Sequence, residues 1–213
     1  METKDTSVYV TKNRGFVRNI ITTLKLLFFL LLTVSCDTDN DPTNNVCEDY
    51  YVNNFITTAF SNANNYDDLP EFMDLETHEY VIKINSNGEI CTVGYQNPST
   101  YAGAYTIEII NTTSLNSYSG THTFSQGQLL DYQSITPVAV SSGDIITVKR
   151  TIMPGYPNLD ATLGRVLRPS NFSAVPFPIT QGTVEFLSSN FYGAGGPVNN
   201  IAMPYIGLGF KAD

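Results

Sequence analysis

From Val52 to Phe210 the chain runs in short bursts of β-branched and aromatic residues, cut off by Gly, Asn, Pro or Ser every ten residues or so. The bursts are EYVIKI (79–84), EICTVGY (89–95), YTIEII (105–110), TPVAV (136–140), DIITVKRTI (144–152), TVEFLSS (183–189) and PYIGLGF (204–210), with HTFSQGQLLDYQSI (122–135) among them. Segments this short make poor helices in water, and their alternating apolar positions suit strands half-buried in a sheet. The chain has no Trp, yet it carries 13 Tyr and 12 Phe and lacks long stretches of Ala, Leu, Glu and Lys, so β-propensity outweighs helix propensity. These features predict an all-β fold, an antiparallel β-sandwich of jelly-roll-like form, as a single domain over residues 47–213.

Two stretches need a local reading. Val52 to Phe60 is ambiguous, because Val52, Ile56 and Phe60 also suit one helical face. NSNG (85–88) ends in a Gly that can take positive φ and separates two extended runs, which predicts a β-hairpin there.

Ahead of the domain, KLLFFLLLTVSCDTDNDP (25–42) passes from unbroken apolar residues to acid across one cysteine. Leu26 to Val34 is about half the length that a bilayer-spanning helix needs. Lys12, Arg14, Arg18 and Lys25 precede it against only Glu2 and Asp5, the pattern of a secretory signal over residues 1–35. Thr33, Val34, Ser35 and Cys36 resemble a bacterial lipobox, with Thr33 where leucine is commonest. The resemblance implies that Cys36 receives a diacylglycerol, with acyl chains such as palmitate, and becomes the N-terminus of a lipoprotein held by a lipid anchor that spans nothing. Residues 36–46, including DTDNDPTNN, are acidic and without an apolar anchor, and so read as a flexible tether. An acidic run after the lipidated cysteine resembles an export signal of some bacterial groups. The expected location is the outer membrane, with the cell surface preferred over the periplasmic face.

Without residues 1–35 the chain keeps six basic against 18 acidic residues, a net charge of −12. That balance argues against nucleic acid and against anionic lipid as partners, leaving the lipid anchor as the membrane contact. Cys47 and Cys91 then remain as an even pair outside the cytoplasm, a candidate disulfide, with two buried free thiols as the alternative. No His neighbours either cysteine in sequence, which gives no sign of a catalytic thiolate.

Metal chemistry has three weak footholds. Asp37, Asp39, Asp41 and Glu48 fall at EF-hand spacing, but Pro42 stands where that loop needs Gly. Asp74, Glu76 and His78 would share one face of an extended strand and could hold a metal, or could simply belong to a loop entering the next strand. Asp67 and Asp68, in NNYDDLPE, read first as turn and capping residues and second as a place for a structural calcium. No other cofactor is expected. The two histidines, His78 and His122, come without a G-x-S-x-G or HExxH motif, so no catalytic set is read and a non-catalytic protein is expected.

In GQLLDYQSITPVAVSSGDIITVKR (127–150), Gly127, Leu129 and Leu130, then Pro137, Val138, Val140 and Gly143, resemble an uncharacterised bacterial extracellular β-sandwich domain often appended to surface enzymes and adhesins. The likeness runs from Glu79 to Phe210, with YIGLGF as the closing strand, and implies a sandwich displayed at the cell envelope.

On such sandwiches loops rather than strands usually carry function. YQNPSTYAGAY (95–105) and MPGYPNLDATLGRVLRPSNFSAVPFP (153–178) combine aromatic faces with Asn, Asp and Arg, the chemistry of a glycan or peptide contact. Tyr95, Tyr101, Tyr105, Tyr156 and Arg165 are the candidate ligand-binding residues, while Tyr101, Tyr105, Phe172 and Phe177 could instead cap the core. The expectation is a lipid-anchored module that binds a glycan or an envelope protein, against an accessory enzyme, hydrolytic or metal-dependent, or a structural adhesion subunit.

Overall fold

The computed structural model describes residues 46–72, 76–153, 164–193 and 196–213 of the chain, so Cys36, most of the tether, Asp74 and Tyr156 lie outside the described residues. The ambiguous run becomes the one α-helix among these residues, α1 (Tyr51–Ala59). Its i, i+4 spacing buries Val52 and Ile56, with Ala59, on one face. Asn64 Nδ2 donates to the carbonyls of Thr58 and Ala59, which closes the helix C-terminus.

Thirteen strands follow among the described residues: β1 (Tyr66–Phe72), β2 (Thr77–Ile84), β3 (Gly88–Tyr95), β4 (Tyr105–Asn111), β5 (Ser117–His122), β6 (Asp131–Val140), β7 (Asp144–Ile152), β8 (Gly164–Pro169), β9 (Ile179–Gln181), β10 (Val184–Tyr192), β11 (Val198–Asn199), β12 (Met203–Pro204) and β13 (Gly207–Ala212). One layer is a sheet of seven strands in the order β11-β10-β2-β7-β4-β5, with β9 also on β10. The facing layer holds the sheet β13-β3-β6, and a third sheet, β1-β8-β12, meets the seven-stranded sheet where β12 contacts β2. Every pairing is antiparallel. The expected all-β sandwich is the fold.

The hairpin expected at NSNG does not form. β2 pairs with β7 and β10, whereas β3 pairs with β6 and β13, so residues 85–87 carry the chain from one layer to the other. Asn85 N donates to Thr183 O, and Gly88 sits at φ +152 where a Cβ would strike Lys211 O. The glycine serves a close approach between chain segments, not a two-strand turn.

Strand parity builds the core. Along β4, Tyr105, Ile107 and Ile109 point inward, and along β7 Ile146, Val148 and Ile152 do the same. The layers are joined by the edge-to-face pair Tyr95 and Tyr105, 5.4 Å apart, and by Tyr80 Oη donating to Ile206 O at 2.8 Å. Cys47 and Cys91 are bonded, which ties the start of the domain to β3. The isolated bridge between Glu48 and Phe210 holds the same segment to β13.

Candidate functional site

The 95–105 loop begins where β3 ends and returns into β4. Tyr95, Tyr101 and Tyr105 are 0–2% exposed and pack against one another, with Tyr101 and Tyr105 centroids 4.9 Å apart. Tyr101 Oη donates to Ala104 O at 2.6 Å, and Asn97 Nδ2 donates to the carbonyls of Tyr101 and Gly103. These three rings are therefore core, not stacking platforms, which corrects the expectation made for them. The cause is parity: Tyr105 shares its phase with Ile107 and Ile109, and Tyr95 closes β3 on the same interior. Phe177 packs on the core as well, whereas Phe172 is 65% exposed with Arg168 over one face of its ring at 4.4 Å.

What the loop offers to solvent is its polar side. Gln96, Pro98 and Ser99 line a cleft of about 420 Å³ together with Asp68 and Pro70 of β1, Gln126 and Gln128 of the β5–β6 connection, and Arg165 of β8. The two segments singled out in the sequence thus meet here, through Gln96 to Ser99 on one side and Arg165 on the other.

Arg165 organises the cleft. Its Nε and Nη2 donate to the two carboxylate oxygens of Asp68 at 2.9 and 2.6 Å, a bidentate pair. Nη1 donates to Gln96 Oε1 at 2.7 Å and to Gln128 O at 3.0 Å. The guanidinium also lies 4.7 Å from the ring centroid of Tyr205. Its hydrogen bonds to Asp68 hold its pKa above the ordinary arginine value even against partial burial. Gln126 Nε2 donates to Pro98 O and Ser99 O, which fixes the opposite wall. The result is a groove of planar groups whose positions are set before any ligand arrives, while the Asp68 side chain stays 40% exposed. Beside Gln128 in the chain, Leu129 is 83% exposed.

The proposed metal footholds fare differently. Asp67 and Asp68 are not turn residues but neighbours on β1, so their side chains leave opposite faces: Asp67 accepts from Ser170 Oγ and Asp68 from Arg165. They cannot converge on one ion. Glu76 is exposed before β2 begins, while His78 is buried within it beside Arg150. Burial, and secondly the Arg150 charge, hold the His78 pKa well below the ordinary histidine value. A cation placed there would face that guanidinium, so Glu76 and His78 do not make the site imagined for them. Among the described residues no group of three or more His, Cys, Asp or Glu side chains is gathered for a metal. His122 is a structural residue on β5, with Tyr118 Oη 2.7 Å from its Nε2 and Gln133 Oε1 2.9 Å from its Nδ1.

Gln96, Gln126 and Gln128 were not singled out in the sequence, since single glutamines in loops carry no local signal. Arg150 was overlooked despite a signal: it occupies the inward parity of β7 with Ile146, Val148 and Ile152, where a charge is out of place. A second polar groove of about 550 Å³ runs between Asn64, Asn65, Ser170 and Asn171, without a charged side chain among the described residues of its lining. Comparison with protein-family models and with curated proteins finds no match for this chain.

Proposed function

We propose that this protein is a lipid-anchored, non-catalytic component of the bacterial outer envelope that binds a neutral glycan in the cleft around Arg165. The observation that carries the reading is the locked quartet of Arg165, Asp68, Gln96 and Gln128, in which the guanidinium holds an exposed carboxylate, the Gln96 side-chain amide and the Gln128 backbone carbonyl in place. Vicinal hydroxyls of a sugar are met by such planar donors and acceptors, and preorganisation removes the side-chain entropy that binding would otherwise cost. Pro70 and Pro98 supply apolar contact for the C–H faces of a ring. The mature chain's net charge of −12 disfavours polyanionic glycans.

Support for the anchor comes from the lipobox-like Thr33 to Cys36 and the basic flank before it. A glycan array probed with the mature chain tests the binding reading. Retention of neutral oligosaccharides, lost with Asp68→Ala and Arg165→Ala, is expected. Binding that ignores both substitutions places the ligand elsewhere and overturns the assignment.

A further inference from the structure

Arg150 sits at the inward parity of β7 and is 0% exposed. Its guanidinium lies over the rings of Tyr105 and Tyr95, with its carbon 4.6 and 5.6 Å from their centroids. Aromatic faces attract the cation from above but accept none of its in-plane N–H bonds. Nε, Nη1 and Nη2 have no hydrogen-bond partner among the described residues, and neither do the two ring nitrogens of His78 or the Tyr95 hydroxyl. His78 stands directly opposite Arg150 in the β2–β7 register. Both lie against Gly164: a Cβ there would be 2.8 Å from Arg150 Nη2 and 2.8 Å from His78 Nδ1.

An arginine cannot shed its proton to escape burial. Left without a counter-charge, a desolvated guanidinium is strongly destabilising, so three neighbouring buried groups with unsatisfied polar atoms, the guanidinium, the His78 ring and the Tyr95 hydroxyl, indicate a ligand that satisfies them. The neighbouring rings accept none of the guanidinium's in-plane N–H bonds, and two parallel N–H groups of this kind match the two oxygens of a carboxylate. Neutral His78 adds one N–H donor and Tyr95 one O–H. We propose that Arg150, His78 and Tyr95 form an internal anion site that takes a small monocarboxylate, distinct from the cleft around Arg165.

Thermal unfolding of the mature chain in sodium formate or acetate, against sodium chloride at equal ionic strength, tests this. The carboxylates are expected to raise the midpoint saturably, by about 3–6 °C at tenfold over Kd, and chloride is not. Arg150→Met replaces the stem with apolar volume and removes the charge, so it should fold and lose the response. A measurement on the unaltered chain stands beside it: irradiating Tyr ring protons should transfer saturation to the acetate methyl group. Equal midpoints in acetate and chloride, a rise that survives Arg150→Met, or absence of saturation transfer would each overturn the proposal.

Discussion

Truncating Tyr101 to Ala separates a core ring from a binding platform. Tyr101 is 2% exposed, packs on Tyr105 at 4.9 Å and donates its hydroxyl to Ala104 O. Deleting a buried ring of this size costs about 3–5 kcal/mol, by analogy with Phe→Ala. In a domain of this length each kcal/mol lowers the midpoint by about 2–4 °C, so Tyr101→Ala should melt roughly 6–20 °C below the parent. Tyr101→Phe keeps the ring and loses one hydrogen bond, which costs about 0.5–1.5 kcal/mol. Urea titration followed by circular dichroism measures both, with an unchanged m-value as the sign that stability alone has moved. A Tyr101→Ala variant melting within about 2 °C of the parent would refute the placement of this ring in the core.

Other expected outcomes follow from separate parts of the molecule. Replacing Cys47 and Cys91 with Ala releases a loop spanning 44 positions, worth about 4 kcal/mol in the chain-entropy model. Two thiols open to alkylation in the unreduced folded chain would contradict that bond. Burial and Arg150 lower the His78 pKa below the ordinary histidine value, so the unfolded chain binds the extra proton first as pH falls below about 6.5. Wild type should therefore lose up to about 1.4 kcal/mol per pH unit below that point relative to His78→Phe, and a difference independent of pH would contradict the burial of a neutral ring. Cys36→Ala should abolish incorporation of labelled palmitate in cells, and labelling that persists rules out this cysteine as the anchor.

Local periodicity made the sandwich legible, because inward parity recurs in β4 and β7 as Ile107, Ile109, Ile146 and Val148. Strand partnership was not legible. Asn85 to Gly88 has the composition of a hairpin turn, yet which strands bond to β2 and β3 is decided by β7, β10, β6 and β13, far away in the chain. The same limit governs the site. A tyrosine suits a core and a binding face equally, and only the packing of Tyr95, Tyr101 and Tyr105 against one another tells which applies. Arg165 stood out in its loop beside the tyrosines, but Gln96 did not, because the partnership of the two spans 69 positions. Asp67 and Asp68 looked like a turn because acidic pairs favour turns, and their strand conformation comes from pairing with Arg168 and Leu167 of β8.

The most direct test of glycan recognition at Arg165 is an NMR titration of the isotope-labelled mature chain with a neutral oligosaccharide retained on an array. Side-chain amide signals of Gln96, Gln126 and Gln128 and the Nε–H of Arg165 should shift together and saturate with one Kd, and Asp68→Ala should weaken that Kd by about tenfold or more, the loss of hydrogen bonds to a charged group. Shifts confined to other surfaces, or an unchanged Kd in Asp68→Ala, would contradict it.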